Sequence, residues 1–295
     1  MSNLMRGLHT AIVTPFTSSG DLDLAAFRRL IDLQLAAKVD GIVVCGSTGE
    51  GATLSIAEKT QLWETAVAQV GGRCVVTAGT GTNDTRSTIE LTSIAATCGV
   101  DAVLLVTPYY NKPTPAGLLA HFRAINDAVD VPQIIYNVPG RTGQNVTAAT
   151  QIAIAQACPR VIATKEASAN LEQMCEIIRH APPTFALLAG DDVLTLPAIA
   201  CGAAGVIAVI SNYAGKRFRR LVHAALDGDL RTAQQEQMVL MPYFAANFIE
   251  SNPIPVKQIL QHLGHIKAEY RLPLTKATVQ TQGRLQEIMQ GFVDE

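Results

Sequence analysis

Runs of apolar residues alternate with amphipathic helical patterns along most of the chain. Eight of these runs are typical of strands, and most are continuously apolar, as expected for parallel strands covered on both faces. In the helical stretch Leu24–Ala37, apolar residues recur at steps of three and four, which places them on one face against a sheet. The predicted strands are His9–Phe16, Gly41–Gly46, Cys74–Gly79, Ala102–Thr107, Gln133–Val138, Val161–Lys165, Phe185–Ala189 and Gly205–Ile210.

Residues suited to capping stand where the predicted helices begin. Asp23 and Ser55 each precede a helical pattern, and Thr114 precedes a proline that suits the first helical position. Repeated strand–helix pairs favour right-handed parallel crossovers. Eight such pairs predict an α/β fold, a closed (β/α)8 barrel, although the pattern alone leaves an open doubly wound sheet as an alternative.

The strand pattern stops near Asp227-Gly228, and only helical patterns follow it. Predicted helices cover Leu230–Phe248, Pro255–Leu263 and Thr275–Phe292. We therefore predict a barrel over residues 1–228 and a C-terminal helical subdomain over residues 229–295. Because no low-complexity linker separates the two, we expect the subdomain to pack against the barrel.

Composition narrows the class of protein. Hydrophobic residues make up 48% of the 295 residues and charged residues 16%, which favours a large buried core. No apolar run is long enough for a membrane span, and the first residues lack the pattern of a signal peptide, so we expect a cytoplasmic protein without a membrane partner. The net charge is −2, and the one basic cluster, Lys216-Arg217 with Arg219-Arg220, is expected on a solvated helix, so we expect no nucleic-acid partner.

Cofactor and metal motifs are missing from the sequence. The six cysteines form no C-x-x-C pair, and His262 and His265 are not part of an H-E-x-x-H pattern. The glycines after the third predicted strand do not complete a dinucleotide fingerprint, because position 84 is Asp84. We expect neither a metal nor a cofactor.

In a (β/α)8 barrel, the residues that end each strand meet at one rim, where active sites lie. Lys165 ends the sixth predicted strand. A lysine facing an apolar interior loses hydration, which lowers its pKa, and its neutral amine can attack a ketone carbonyl. The spacing equally allows a lysine that points to solvent or pairs with Glu166.

Four more groups at this rim suggest chemistry. Ser47 and Thr48 lie in a glycine-flanked turn whose N–H groups could hold a carboxylate. Arg141 could clamp a second carboxylate, and the phenols of Tyr110 and Tyr136 could pass protons. Each also fits a simpler role, as a plain connecting turn, a solvated arginine or core aromatics.

Eight segments, in the same order along the chain, carry a specific resemblance: AIVTPF at Ala11–Phe16, GSTGE at Gly46–Glu50, TPYYNKP at Thr107–Pro113, YNVPGRTG at Tyr136–Gly143, KEAS at Lys165–Ser168, GDD at Gly190–Asp192, GAAGVIAV at Gly202–Val209 and NPIPVK at Asn252–Lys257. With them the chain resembles the dihydrodipicolinate synthase / N-acetylneuraminate lyase family, from about Gly7 to the C-terminal helices. The arginine of YNVPGRTG and the KEAS tetrapeptide favour the synthase branch over the lyase branch.

The resemblance implies the chemistry of a class I aldolase, a lyase. Lys165 would form an imine with pyruvate, whose enamine then condenses with L-aspartate-4-semialdehyde to give 4-hydroxy-tetrahydrodipicolinate, in lysine and diaminopimelate biosynthesis. Thr48, Tyr136 and Tyr110 would form a proton relay, with Tyr110 reaching in from a neighbouring subunit. The family usually forms homotetramers, so we expect one here.

The resemblance also assigns binding residues. The backbone of Ser47 and Thr48 would hold the pyruvate carboxylate, and Arg141 would bind the carboxylate of the semialdehyde. Gly190 and Ile207 would line the pocket near the lysine.

Two other functions remain open at this point. One is another class I pyruvate aldolase, acting on a keto-deoxy sugar acid or N-acetylneuraminate. The other is a catalytically silent barrel that binds a keto acid.

The chain departs from lysine-inhibited members of the family at their effector site. Those members carry polar and ionisable residues there, whereas this chain has Ile56, Lys59 and Ser87, although Asn83 and Tyr109 match. An apolar side chain and a cation are poor partners for a cationic effector. We therefore predict weak or absent inhibition by lysine.

Overall fold

A computed structural model describes residues 3–294, and its centre is a closed barrel of eight parallel strands. The strands follow one another in chain order around the barrel, and the eighth closes it by pairing with the first. This arrangement confirms the predicted (β/α)8 barrel over an open sheet. The strands are β1 Gly7–Ala11, β2 Gly41–Val44, β3 Val75–Gly79, β4 Ala102–Val106, β5 Gln133–Asn137, β6 Val161–Glu166, β7 Ala186–Ala189 and β8 Gly205–Ala208.

Helices follow the strands and cover the barrel from outside. The predicted caps are confirmed: the side chains of Asp23, Ser55 and Thr114 each accept a hydrogen bond from a backbone N–H of the first helical turn. The helices are α1 Leu24–Ala36, α2 Ile56–Val70, α3 Thr85–Thr97, α4 Pro115–Ala128, α5 Pro139–Thr142, α6 Ala148–Ala157, α7 Leu171–His180, α8 Thr195–Ala200, α9 Gly215–Leu226, α10 Leu230–Ala246, α11 Ile254–His262 and α12 Val279–Ile288.

Two apolar cores lie on the two sides of the sheet. The larger core fills the layer between strands and helices, and a smaller one fills the barrel interior. The interior core includes Val43, Leu104, Ala163, Leu188 and Ile207, each on a different strand. Because alternate residues of a strand face opposite sides, these positions identify which residues point inward.

The first strand is shorter than predicted. The ladder covers Gly7–Ala11, whereas the apolar run predicted a strand over His9–Phe16. Beyond the ladder, Val13 N donates to Asn212 Oδ1 at 3.1 Å, and Phe16 forms only an isolated bridge with Leu22. These residues are apolar because they are buried, with the Lys257 ammonium 4.5 Å from the centre of the Phe16 ring, rather than because they belong to the sheet.

The C-terminal helices are tied to the barrel by ion pairs. Glu236 of α10 pairs with Arg217 of α9, and Lys257 of α11 pairs with Glu50 in the loop after β2. The last helix begins at Val279 instead of Thr275, because the Thr278 hydroxyl caps it by accepting from Thr281 N. The division of the chain after residue 228 stays a prediction.

Within residues 3–294, no helix combines the length and the apolar character that a membrane crossing requires.

Candidate active site

Lys165 points into the barrel. It shares the inward face of β6 with Ala163, two residues earlier, and only 5% of its surface is exposed. Its register partner on β5 is Tyr136, and its Nζ atom lies 4.4 Å from the centre of the Tyr136 ring. The side chain therefore lies beside an inward-facing phenol and not in solvent.

Glu166 lies on the opposite face of the same strand. Its carboxylate is fully buried and accepts hydrogen bonds at 2.7–3.0 Å from the side-chain amides of Asn137, Gln151 and Gln173. Those amides satisfy the carboxylate on the helix side of the sheet. Among the described residues Lys165 forms no ion pair, so the pairing with Glu166 that the spacing allowed does not occur.

Two carboxyl groups lie beyond β7, near the lysine. Burial raises the pKa of Asp192 to about 6, although hydrogen bonds from Val209 N and Ile210 N and the charge of Lys165 partly offset it. Burial also raises the pKa of Asp191, again against the opposing charge of Lys165. The lysine thus lies in an environment where burial disfavours charge on neighbouring groups.

The loop after β2 presents free N–H groups. The backbone N–H groups of Ser47 and Thr48 donate no hydrogen bond to any described residue. The loop is closed behind them, where Glu50 N donates to Ser47 O at 3.1 Å and the Thr14 hydroxyl donates to Gly49 O at 2.6 Å. Two adjacent unpaired donors in a fixed turn form a concave site for an anion such as a carboxylate.

Asn252 connects two of the predicted site residues. Its side-chain Nδ2 donates to the Thr48 hydroxyl at 2.9 Å, and its carbonyl accepts from the Arg141 guanidinium at 3.0 Å. Arg141 has no acidic partner among residues 3–294, so its charge is left for a ligand. Asn252, two residues before α11, thus fixes one side chain of the loop after β2 and one of α5.

A cavity of about 510 Å³ opens at the C-terminal rim of the barrel. Ser47, Tyr136 and Arg141 line it, together with Asn252. These groups suit a ligand with two carboxylates. Ser47 offers a free backbone N–H, and Arg141 offers a positive charge.

Other predicted residues lie outside the cavity lining. Tyr110 is 89% exposed on a left-handed backbone (φ 71°). Ile207 is fully buried in the same interior core as Tyr136, and a side chain at Gly190 would meet the Cβ of Ala167 at 2.4 Å. Lys165 and Thr48 are not among the lining residues, but Lys165 contacts Tyr136 and Thr48 contacts Asn252, which both line the cavity. Tyr110 has no such link to the cavity among the described residues.

Reasoning from the sequence missed Asn252, Glu50 and Lys257 as site residues. All three stand inside quoted motifs, GSTGE and NPIPVK, but spacing gave no sign that these motifs contact each other. Among the residues that the structure describes, no group of three or more His, Cys, Asp or Glu side chains is arranged to hold a metal ion.

Comparison with known proteins gives consistent matches over nearly the whole chain. The sequence model described as the Dihydrodipicolinate synthetase family matches residues 4–291. The 4-hydroxy-tetrahydrodipicolinate synthase of Exiguobacterium sibiricum is 46% identical over 289 residues, which cover 98% of each chain. The crystal structure of dihydrodipicolinate synthase from Thermotoga maritima has a TM-score of 0.96 at 38% identity, with 98% of each chain covered. The structure of DHDPS from Cyanidioschyzon merolae with lysine bound has a TM-score of 0.94 at 42% identity, covering 97% of this chain and 98% of that one.

Proposed function

Because this chain belongs to the dihydrodipicolinate synthetase family, we propose that it is a lyase that condenses pyruvate with L-aspartate-4-semialdehyde to 4-hydroxy-tetrahydrodipicolinate, for lysine and diaminopimelate synthesis. The single observation that carries the proposal is the inward-facing Lys165 beside Tyr136. The proposed function needs no cofactor, since the lysine itself supplies the electron sink.

The first step is formation of an imine. The neutral amine of Lys165 attacks the ketone carbon of pyruvate, and loss of water gives the imine. The free N–H groups of Ser47 and Thr48 bind the pyruvate carboxylate, which places the carbonyl at the lysine. Deprotonation of the methyl group then gives the enamine nucleophile.

Protons must move during imine formation, and hydroxyl groups beside the cavity can carry them. The resemblance assigned this relay to Thr48, Tyr136 and Tyr110. Asn252 Nδ2 donates to the Thr48 hydroxyl oxygen at 2.9 Å, so the Thr48 O–H itself stays free to donate its proton. Tyr136 lines the cavity. We propose that Thr48, Tyr136 and Tyr110 form this relay and that Asn252 orients the Thr48 hydroxyl.

Arg141 binds the second substrate. Arg141 lines the cavity and has no acidic partner among the described residues, so its guanidinium can donate hydrogen bonds to the semialdehyde carboxylate. The enamine carbon attacks the aldehyde carbon, and the aldehyde oxygen becomes a hydroxyl. The substrate amine then attacks the imine carbon, closes the ring and releases Lys165 as a free amine. Gly190 and Ile207 are proposed to shape the wall near the lysine.

Tyr110 would act from a neighbouring subunit. Its 89% exposure supports this, because the ring extends away from its own chain. We therefore propose a homotetramer in the cytoplasm, in which the relay is completed at a contact between subunits. Sedimentation of the wild type and of a Tyr110→Phe variant separates assembly from catalysis, since the variant should keep its mass and lose turnover.

The deciding experiment couples the product to a dihydrodipicolinate reductase and follows NADPH loss with both substrates present. Turnover in the wild type that disappears in Lys165→Ala supports both the reaction and the nucleophile, and exposed Lys276→Ala serves as the matched control. No turnover, with pyruvate still trapped on Lys165 by borohydride, would move the second substrate to another aldehyde. Absence of trapping would reject the imine chemistry altogether.

A further inference from the structure

We infer that the buried ion pair between Glu50 and Lys257 is a positioning pair that sets the pyruvate affinity of the loop carrying Ser47 and Thr48. The inference rests on the proposed function only in taking this loop as the pyruvate carboxylate site. Glu50 is one of the residues along the cavity, but both charged side chains are fully buried, so we argue that both act through the loop.

A carboxylate, two backbone carbonyls and two aromatic rings surround the ammonium of Lys257. The side chains of both residues have zero exposure, and Nζ lies 2.5 Å from Glu50 Oε1. Nζ also donates to Thr14 O at 3.0 Å and to Glu269 O at 2.5 Å. The rings of Phe16 and Tyr270 lie 4.5 and 4.8 Å from it, within the range of a cation–π contact.

Glu50 is part of the turn that presents the free N–H groups. Its backbone is left-handed, with φ at 52°, a conformation that non-glycine residues adopt only where their surroundings hold them. Its N–H closes the turn on Ser47 O, three residues before it. A displaced Glu50 side chain would therefore rotate the turn and move the donors of Ser47 and Thr48.

Lys257 and Asn252 lie within one short segment of the chain, and both contact this loop. Asn252 binds the Thr48 hydroxyl on the cavity side, while Lys257 binds Glu50 behind the turn. The loop is thus fixed from two directions, by the segment that leads into α11 and by α11 itself. This double attachment distinguishes the pair from an ion pair that merely holds two helices together.

The ion pair between Glu50 and Lys257 is better explained by fixing the position of the loop than by adding net stability to the fold. A buried ion pair gives little net stability, but removal of one partner leaves a buried charge that must find another position. The Glu50→Gln variant keeps the size of the side chain and removes its charge, so Lys257 keeps the carbonyls of Thr14 and Glu269 but loses its carboxylate partner beneath the loop. We expect the loop to relax and the carboxylate site to loosen.

The experiment measures borohydride trapping of pyruvate on Lys165 as a function of pyruvate concentration, which needs no semialdehyde. In Glu50→Gln, we expect the pyruvate concentration for half-maximal trapping to rise about 10-fold, which is the effect of losing one well-placed charge-assisted contact. At saturating pyruvate, the trapped fraction should equal that of the wild type. Circular dichroism establishes that the variant is folded.

Glu236→Gln is the matched control, because Glu236 is also a buried carboxylate that joins a C-terminal helix to the barrel, but it contacts Arg217 far from the loop. We expect it to lower the melting temperature and to change half-maximal trapping by less than about twofold. An equal shift in both variants, or no shift in a folded Glu50→Gln, would overturn the inference.

If Glu50→Gln does not fold, the double variant Glu50→Gln with Lys257→Met removes both charges and is the better-tolerated replacement. It should again raise the half-maximal pyruvate concentration, and an unchanged value would reject the positioning role. A wild type that traps pyruvate but does not turn over the semialdehyde would count against the proposed second substrate alone.

Discussion

The Nζ atom of Lys165 lies 4.4 Å from the centre of the Tyr136 ring, and the two residues are register partners on β6 and β5. Because neighbouring parallel strands carry partnered residues on the same face, the barrel itself fixes this relationship. A nucleophile and a phenol are thus held together by backbone hydrogen bonds instead of by flexible loops. Such a placement is well suited to a site that must align an imine with a proton carrier.

Arg141 should determine the affinity for the semialdehyde. Arg141→Ala should raise the KM for L-aspartate-4-semialdehyde by about 10- to 100-fold, because one charge-assisted, bidentate contact is lost. The pyruvate concentration for half-maximal borohydride trapping should stay close to the wild-type value. The coupled assay at varied semialdehyde concentration measures the effect, and an equal rise for both substrates would show that Arg141 acts on the cavity as a whole.

The two hydroxyls of the loop after β2 should have separable roles. Thr48→Val should lower kcat about 100-fold, the usual scale of a lost proton relay, because it removes the hydroxyl that Asn252 orients. Ser47→Ala keeps the backbone N–H proposed to bind the carboxylate and should change kcat much less. Steady-state kinetics of both variants test this difference, and a larger kcat loss in Ser47→Ala would move the relay to Ser47.

Inhibition by lysine should be weak or absent. Lys59 lies on the cavity wall, half-buried, and Ile56 is exposed nearby in the chain, so a cationic effector meets a cation and an apolar side chain. Addition of L-lysine at millimolar concentration should leave turnover nearly unchanged. The Cyanidioschyzon merolae enzyme, whose structure contains lysine, is a suitable comparison in the same assay. Strong inhibition of this chain would contradict the prediction.

The ion pair between Glu58 and Arg271 should contribute to acid stability. The hydrogen bond from Arg271 lowers the pKa of Glu58 from 4.5 to about 2, against a smaller opposing effect of burial. A carboxyl group with a lowered folded-state pKa stabilises the protein above pH 4.5 and loses that contribution as the pH falls towards 2. The melting temperatures of wild type and Glu58→Gln should therefore differ at pH 6 and converge near pH 2. A difference that is independent of pH would exclude this linkage.

Much of the fold could be predicted from the sequence because it depends on local patterns. Continuous apolar runs, amphipathic helices and capping residues such as Asp23 each act over a few residues. The direction of Lys165 could not be predicted, since it depends on which face of β6 is inward. That choice is fixed by amides on Asn137, Gln151 and Gln173, which draw Glu166 to the other face from three separate segments.

The site residues Asn252 and Lys257 were missed because their contacts, like those that orient Lys165, are long-range. The contacts of Asn252 and Lys257 join positions about two hundred residues apart, and no periodicity in either segment indicates the partner. The end of β1 was placed too late for a related reason, because burial beneath the C-terminal region gives residues 12–16 the apolar character of a strand. Burial by long-range packing and burial within a sheet both produce a continuous apolar run in the sequence.

The contacts of Asn252 and Lys257 with the loop after β2 also concern synthesis on the ribosome. Translation delivers the barrel strands and Lys165 first, and the segment that holds Thr48 and Glu50 emerges much later. A nascent chain can therefore close its barrel before its anion-binding loop is set. The lysine is made early, but the enzyme becomes competent for its keto acid only near the end of translation.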